Sequence, residues 1–333
     1  MKLLSCVEIC AGAGGQSLGL AMAGFVHVAL VEYEKEYCRI LQENRPEWPV
    51  ICADVKDFDG TVYKGVDLFA GGVPCPPFSV AGKQLGKDDE RDLFPEALRL
   101  IREMEPRAIM LENVRGFLAP SFASYREHIL SSIEAMGYDV QLRLLNASDY
   151  GVSQLRPRVV IVGIRKNEGY IFQYPECHPE KAVSVGELLL DLMKEQGWKG
   201  AAHWAKVANQ IAPTIVGGSK KHGGPDLGPT RARKAWAALG VDGKGIANTA
   251  PEISFMGMPK LTPRMLARIQ GFPDNWGFGK TKTRACRMIG NAFPPPVAKA
   301  VGEKIKECLL HESPTRNSSE RISYQPTSFD FNH

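Results

Sequence analysis

One cysteine lies in a setting that suits nucleophilic catalysis. Cys75 has prolines on both sides, and two glycines before it end an apolar run at 66–70. The run predicts a buried strand, and proline fixes the backbone and removes a donor. We therefore expect the thiol on a stiff turn at a strand end, where open α/β sheets place their chemistry. For an isolated Pro-Cys pair, a surface turn with a free thiol would be the alternative.

A carboxylate and two arginines border other apolar runs. Glu112 follows the run 108–111, and a carboxylate at a strand end is a candidate general acid. Arg156 and Arg158 alternate just before the run 159–164. Cationic neighbours lower the pKa of a thiol, and the thiolate is the reactive form. A solvated sheet edge would explain the two arginines equally well.

A glycine-rich turn at residues 12–15 joins the first predicted strand to the first predicted helix. Such a turn brings a ligand to backbone N–H groups at a helix N-terminus. Its G-x-G-G spacing counts against a dinucleotide fingerprint. Glu32 ends the second strand, where an acid can bind ribose hydroxyls. Asp54 follows the third, where it could accept from an adenine amino group. Structural turns and solvated carboxylates are the alternatives.

The length and composition of the chain fit a soluble protein, and 333 residues are enough for one large and one smaller domain. Apolar residues make up 44% and charged residues 23%, which is ordinary for a globular chain. No apolar run approaches a membrane span, and the N-terminus lacks a signal-peptide layout. The eight cysteines form no C-x-x-C pair. This argues against a zinc site or disulfide framework and for a reducing cytosol.

Positive charge is concentrated in one part of the chain. The net charge of the whole is +4, whereas residues 201–250 hold seven Lys or Arg against two Asp, a net of +5. The region from 176 to 280 lacks β–α alternation, and its segment 217–224 is rich in glycine and lysine. That composition suits contacts with nucleic-acid phosphates. A solvated loop is the alternative.

Several segments occur in the order of a known family. The chain resembles the DNA cytosine methyltransferases that modify carbon-5, and the resemblance covers nearly all of it outside 176–280 and the tail. The chain departs from the family at Glu8, Cys10 and Pro76, where Asp, Phe and Gln are usual. The matching segments are GGVPCPPFS at 71–79, ENV at 112–114, QLRPR at 154–158 and IGNAFPPPV at 289–297.

The resemblance implies a role for each matching residue and no metal. The catalytic residues would be Cys75, Glu112, Arg156 and Arg158. The residues that contact the substrate would be Ser79, Asn113, Gln154, Thr214, Lys220 and Lys221. The residues that bind the cofactor S-adenosylmethionine would be Cys10, Ala11, Gly12, Ala13, Gly15, Glu32, Tyr33, Asp54, Val55, Pro74, Leu93, Asn291 and Ala292.

The resemblance also implies the fold. We expect an α/β, Rossmann-like S-adenosylmethionine-dependent methyltransferase domain with a doubly wound sheet, formed by residues 1–175 and 281–312. Residues 176–280 would form a smaller, mostly irregular target-recognition domain. The polar residues 313–333 are expected to be disordered.

The predicted reaction transfers a methyl group from S-adenosylmethionine to carbon-5 of a cytosine flipped out of a short specific sequence in double-stranded DNA. It would pass through a covalent adduct between Cys75 and carbon-6. We expect a monomeric bacterial enzyme of the restriction–modification or orphan type, in the cytoplasm and without a membrane or an obligate protein partner. The alternatives are a tRNA cytosine-5 methyltransferase, a catalytically silent DNA-binding relative and a nicotinamide dehydrogenase. The basic region counts against the tRNA enzyme, and the intact catalytic residues count against the silent relative. The glycine spacing counts against the dehydrogenase.

Overall fold

A computed structural model describes residues 3–74, 92–217 and 226–310, and in these ranges the chain forms seven strands and ten α-helices. The strands are β1 (Leu4–Ile9), β2 (Phe25–Glu32), β3 (Val50–Cys52), β4 (Leu68–Gly72), β5 (Ala108–Val114), β6 (Tyr138–Asn146) and β7 (Pro157–Arg165). The helices are α1 (Gly15–Ala23), α2 (Lys35–Asn44), α3 (Phe94–Met104), α4 (Ala123–Ala135), α5 (Val185–Lys194), α6 (Ala201–Val207), α7 (Thr230–Ala238), α8 (Pro263–Ile269), α9 (Lys282–Asn291) and α10 (Pro295–Leu310).

All seven strands belong to one sheet, in the order β3-β2-β1-β4-β5-β7-β6. The pairings from β3 to β5 are parallel, whereas β7 runs antiparallel to both of its neighbours. The chain order reverses between β1 and β4, and ligands of open α/β sheets bind at such a switch point, beyond the carboxyl ends of the strands. The predicted strand ends therefore meet along one edge.

The strands form where apolar runs can be buried on both faces of the sheet. In β1, Val7 and Ile9 pack into the core beneath α3 and α4, while Leu4 and Cys6 point into the core shared with α1 and α10. Successive strand residues point to opposite faces, so both sets must be apolar. The bounds of β4 and β7 lie within two residues of the apolar runs 66–70 and 159–164, whereas β5 extends three residues beyond the run 108–111. This strand continues to Val114 because its antiparallel ladder with β7 extends there.

The last helix packs on the first. Gly19 of α1 leaves no room for a side chain, since an added Cβ would lie 2.5 Å from Cβ of Ala298 and 2.8 Å from N of Lys299 in α10. A glycine at this position lets the two helices approach closely. Helix α10 thus packs against the sheet domain beside the glycine-rich turn.

Residues 176–280 contain four helices, α5 to α8, and no strand in their described part. Trp236 of this region is fully buried, in a core that also includes Leu41 and Trp48. Helix α8 begins with Pro263 in its first turn and with the Thr262 hydroxyl accepting from the Met265 N–H. The basic segment 217–224 lies, after Gly217, outside the described residues. Across the described ranges, none of the helices is both long and apolar enough to cross a membrane.

Candidate active site

An ion pair lies at the junction of β5 and β7. Nε of Arg158 is 2.8 Å from Oε1 of Glu112, and both residues are buried. The antiparallel ladder brings them together, because it places the start of β7 beside the end of β5. Burial raises the pKa of the Glu112 carboxyl, although the positive charges of Arg158 and Arg156 oppose the rise. A carboxyl with a raised pKa can hold a proton for general acid catalysis.

The strand end that leads to Cys75 is fixed next to this pair. Gly72 is the ladder partner of Glu112, and an added Cβ on Gly72 would lie 3.3 Å from a carboxylate oxygen of Glu112. One residue on, the Val73 carbonyl accepts from the side-chain amide of Asn113 at 2.9 Å. Cys75 itself and Ser79 lie outside the described residues. The chain nevertheless leaves the described part at Pro74, in the immediate neighbourhood of Glu112.

Arg156 is placed differently from Arg158. Its side chain is fully buried, and its guanidinium donates to the carbonyls of Ile215, Gly290 and Ala292. Burial lowers the pKa of Arg156 well below its usual range, an effect that the charge of Arg158 strengthens. These contacts favour a positioning role for Arg156 over direct contact with a substrate.

On the cofactor side, Glu32 organises the glycine-rich turn. Its Oε2 accepts from the Gly12 N–H at 2.7 Å and its Oε1 from the Glu34 N–H at 2.8 Å. Cys10 and Gly12 have φ of 55° and 56°, and Gly14, with φ of 78°, precedes α1. The left-handed backbone turns the chain sharply from β1 into the helix.

The other predicted cofactor residues surround the same edge. Asp54 caps a short 3-10 helix through the N–H two residues on, Val55 is buried, and Tyr33 is exposed. The Leu93 N–H donates to the Pro74 carbonyl at 3.5 Å, which brings two of the predicted residues together across 75–91.

The turn also contacts the end of the chain. An added Cβ on Gly15 would lie 3.3 Å from Cβ of Ala292. The Ala11 N–H donates to the carbonyl at the end of β2, and the Ala13 carbonyl accepts from the indole N–H of Trp276. Asn291 points elsewhere, against Gly217. Residues distant in sequence thus form one lining around the switch point.

These residues fit S-adenosylmethionine. The Glu32 carboxylate can accept from ribose hydroxyls, and the turn presents N–H groups at a helix start. Gln16, in the first turn of α1, is buried, and neither polar atom of its amide has a hydrogen-bond partner in the described part of the chain. Buried polar groups are normally satisfied, so this amide is available to a polar ligand. We did not predict Gln16 from the sequence, although a polar residue directly after a glycine turn is a usable signal.

Of the predicted substrate contacts, only three lie in the described ranges, and these face the protein itself. Asn113 holds Val73, Thr214 donates from its hydroxyl to the Leu155 carbonyl, and Gln154 is fully buried. Lys220 and Lys221 lie outside the described residues.

Glu32→Gln should weaken cofactor binding by about tenfold, which corresponds to ~1.4 kcal/mol. The variant replaces one carboxylate oxygen by an NH₂ group. This donor would then face the backbone N–H of Gly12 or of Glu34, and the hydrogen bond there would be lost. Titration calorimetry with S-adenosylhomocysteine measures the change. Glu43→Gln, an exposed change on nearby α2, is the control and should leave the affinity unaltered. Equal affinities for wild type and Glu32→Gln would contradict this role.

Glu8→Gln should stabilise the protein increasingly as pH rises from 5 to 8. Burial raises the pKa of Glu8 from its ordinary 4.5 to about 8. The unfolded chain releases this proton near pH 4.5, whereas the folded chain holds it up to about pH 8. Between these two pH values the wild type therefore loses stability on the order of a few kcal/mol. Glutamine does not titrate. Thermal melts at pH 5.5 and 8 should show a melting-temperature difference that widens at pH 8; a constant difference would contradict the assignment.

A comparison with protein families decides what kind of protein carries this site. The model described as "C-5 cytosine-specific DNA methylase" matches residues 4–307. The chain belongs to this family. Two curated relatives are the Type II methyltransferase M.NgoMIV of Neisseria gonorrhoeae and M.NaeI of Lentzea aerocolonigenes. The first is 55% identical over 310 residues, 92% of this chain and 98% of the relative. The second is 53% identical over 332 residues, 98% of this chain and 80% of the relative.

Solved structures of the C-5 cytosine methylase fold are also similar to this chain. A protein encoded within an Escherichia coli prophage superposes with a TM-score of 0.67 at 24% identity, covering 92% of this chain and 99% of its own. A mutant of Spodoptera frugiperda DNMT2 gives 0.65 at 18%, covering 92% and 100%. The predicted fold class is confirmed, and so is the prediction of a DNA cytosine-5 methyltransferase. Family and fold are both S-adenosylmethionine-dependent.

Proposed function

We propose that this methylase modifies carbon-5 of a flipped-out cytosine in one short sequence of double-stranded DNA, as a monomer in the bacterial cytoplasm. The observation that carries the proposal is the buried Glu112–Arg158 pair beside the strand end that precedes Cys75. A nucleophile, an acid and a cation are the groups that addition to a cytosine ring requires.

The chemistry follows from these groups. The Cys75 thiolate forms a bond to carbon-6, and the electron pair of the 5,6 double bond moves toward carbon-5. Glu112, whose pKa is raised by burial, shares a proton with ring N3 and offsets the negative charge. S-adenosylmethionine, when bound, supplies an electrophilic methyl group. Loss of the carbon-5 proton to a base then restores the double bond and expels the Cys75 thiolate.

We propose that Glu32, the 12–15 turn and Gln16 hold the cofactor. Glu32 would accept from the ribose hydroxyls, the turn would donate backbone N–H groups, and the unpartnered Gln16 amide would bind a polar end of the molecule. Asp54 would accept from the adenine amino group.

We propose that residues 176–280 read the target, with Lys220 and Lys221 on DNA phosphates. Flipping a cytosine costs a few kcal/mol of lost stacking and pairing, which phosphate contacts and groove contacts would offset. The supporting observation is that the two curated relatives, at 55% and 53% identity, match nearly the whole chain, including this region. We therefore propose that the three proteins share one target sequence.

Labelled S-adenosylmethionine tests the proposal. Unmethylated genomic DNA and tRNA are offered separately, and modified cytosines are mapped by sequencing. We expect label in DNA at one recurring sequence, and little label in DNA already methylated by the gonococcal relative. Label only in tRNA would support the tRNA methyltransferase alternative. Absence of label from both, with cofactor binding intact, would support the silent DNA-binding alternative.

A further inference from the structure

One aromatic residue of the 176–280 region reaches the glycine-rich turn. Trp276 is buried, and its indole N–H donates to the Ala13 carbonyl at 3.1 Å. Its ring also packs on the next residue of the turn, because an added Cβ on Gly14 would lie 2.9 Å from Cζ2 of Trp276. The turn is thus held by a side chain that lies 263 positions after Ala13 in the chain.

The indole completes the bonding of one peptide group. The carbonyl of Ala13 and the N–H of Gly14 belong to the same peptide plane. The N–H donates to the Ala11 carbonyl at 2.9 Å, and the carbonyl accepts from Trp276. In the described part of the chain no other donor reaches this carbonyl. Hydrogen bonds therefore fix both polar ends of the Ala13–Gly14 peptide group, just before α1 begins.

This peptide group is one that could otherwise reverse. A peptide plane reverses when ψ of its first residue and φ of its second change together, and glycine accepts the new φ because it has no Cβ. Gly14 has φ of 78°, in the left-handed region that favours glycine. Reversal would turn the Ala13 carbonyl away from Trp276 and break the bond from Gly14 to Ala11. The indole opposes this change, which would alter the polar groups that the turn presents.

The end of α2 holds Trp276 in place. The Asn44 side chain accepts from the Gly277 N–H at 2.7 Å and donates to the Gly277 carbonyl at 2.9 Å. The guanidinium carbon of Arg45 lies 5.7 Å from the ring centroid of Trp276 and 6.0 Å from that of Trp48. A cation over an aromatic face is attracted to the ring. Because α2 follows β2, the strand next to β1, these contacts fix the indole relative to the turn.

The turn is thus fixed on two sides by side chains of different kinds. Glu32 accepts from the Gly12 N–H at 2.7 Å, whereas Trp276 donates to the Ala13 carbonyl. The Glu32 carboxylate also belongs to the proposed contacts with the cofactor. The indole N–H of Trp276 is already used, and the residue is only 6% exposed. Trp276 therefore acts on the turn and not directly on a ligand.

We propose that Trp276 is a positioning residue for the cofactor, because it keeps the Ala13–Gly14 peptide group in the orientation that the cofactor needs. The proposal rests on the proposed function, since it requires S-adenosylmethionine at the glycine-rich turn. A turn that already has its binding orientation loses less conformational freedom when the cofactor binds. Loss of the indole N–H should therefore lower the affinity for the cofactor and leave the chemical step unchanged.

Trp276→Phe tests this role, because it removes the indole N–H and keeps an aromatic ring beside Gly14. The dissociation constant of S-adenosylhomocysteine, measured by calorimetry, should rise about tenfold. The KM for S-adenosylmethionine should rise by a similar factor, while kcat at saturating cofactor and the KM for DNA change less than about twofold. Hydrogen exchange of the backbone amides at 11–16, measured by mass spectrometry without added cofactor, should become faster.

Trp198→Phe is the matched control. Trp198 is also buried, and its indole N–H donates to the Phe255 carbonyl at 3.0 Å. Both substitutions delete one hydrogen bond from an indole to a backbone carbonyl, so they should lower the melting temperature to a similar extent. Trp198→Phe should leave the affinity for S-adenosylhomocysteine and the exchange at 11–16 within about twofold of wild type.

The outcomes distinguish this role from general stability and from the proposed function. Wild-type affinity or wild-type exchange in Trp276→Phe would overturn the proposal, and so would an equal loss of affinity in Trp198→Phe. If Trp276→Phe does not fold, Asn44→Ala releases Gly277 instead and should weaken the binding about threefold; an unchanged affinity would count against the role. A wild type that binds no S-adenosylhomocysteine would remove the proposed cofactor site itself, and this role with it.

Discussion

Cys75→Ala should lower the rate of methyl transfer to DNA by at least about 10³-fold, because no other group can form the bond to carbon-6. The described structure supports this position for the nucleophile. The chain reaches Pro74 directly beside Glu112, and Asn113 holds the preceding carbonyl at 2.9 Å. Cofactor and DNA binding should survive, since alanine removes only one sulfur atom. Initial rates with labelled S-adenosylmethionine, together with gel-shift affinities, measure both effects.

Cys52→Ala is the matched control, because Cys52 is an exposed thiol near the same edge of the sheet. It should retain nearly the full rate. A denaturation-resistant complex between wild type and DNA carrying 5-fluorocytosine would add a second readout, since fluorine at carbon-5 cannot be lost as a proton. Cys75→Ala should form none. Transfer by Cys75→Ala above a tenth of the wild-type rate would exclude the covalent route.

Glu112→Gln should lower kcat by about 10²- to 10³-fold, the usual contribution of a positioned acid. Glutamine keeps the shape of the side chain and loses the proton. Burial raises the pKa of Glu112, so its protonated form persists to higher pH than for an exposed carboxyl. The wild-type rate should therefore fall as pH rises through that raised pKa. The falling limb should be absent from the residual activity of the variant.

Loss of the Glu112 charge also leaves Arg158 buried without its ion partner. Breaking a buried pair costs about 3–5 kcal/mol, so melting temperatures must accompany the kinetics, and rates should be measured well below them. Glu127→Gln, an exposed change on α4, is the control for both measurements. A Glu112→Gln variant that remains folded, with an unchanged rate and pH profile, would rule out acid catalysis by this residue.

The strand ends of the site were predictable from the sequence because each follows a short apolar run. Glu32 is correctly predicted as the last residue of β2, whereas Glu112 lies within β5, two residues before the strand ends at Val114. Periodicity and glycine breaks are local signals, and such signals place local structure.

The buried contacts of Gln154, Arg156 and Gln270 were not predictable in this way. Nothing local distinguishes Gln270, which ends α8, from a solvated glutamine, and its partners lie 116 and 22 residues away. Arg156 and Arg158 look alike in sequence, yet one faces three carbonyls and the other a carboxylate. Burial and long-range pairing decide these roles, and neither can be read from spacing.

Helices α2 and α9 are among five that were not predicted, the others being α5, α6 and α7. In α2 only Cys38, Ile40 and Leu41 are buried, and α9 is rich in cationic residues. Their apolar stripes are short because each covers only part of a neighbour. Tertiary packing, rather than a strong local pattern, accounts for both.

The reversed direction of β7 bears on how the protein assembles. Strands β6 and β7 form a hairpin in which Leu145 pairs with Arg158, only 13 residues along the chain, whereas Glu112 pairs with Val160, 48 residues away. Closing a shorter loop loses less chain entropy. Arg158 therefore belongs to the locally paired β6–β7 hairpin. Glu112 reaches Arg158 only when the longer loop between β5 and β7 closes. Chemistry at this site becomes available only after β5 has paired with β7.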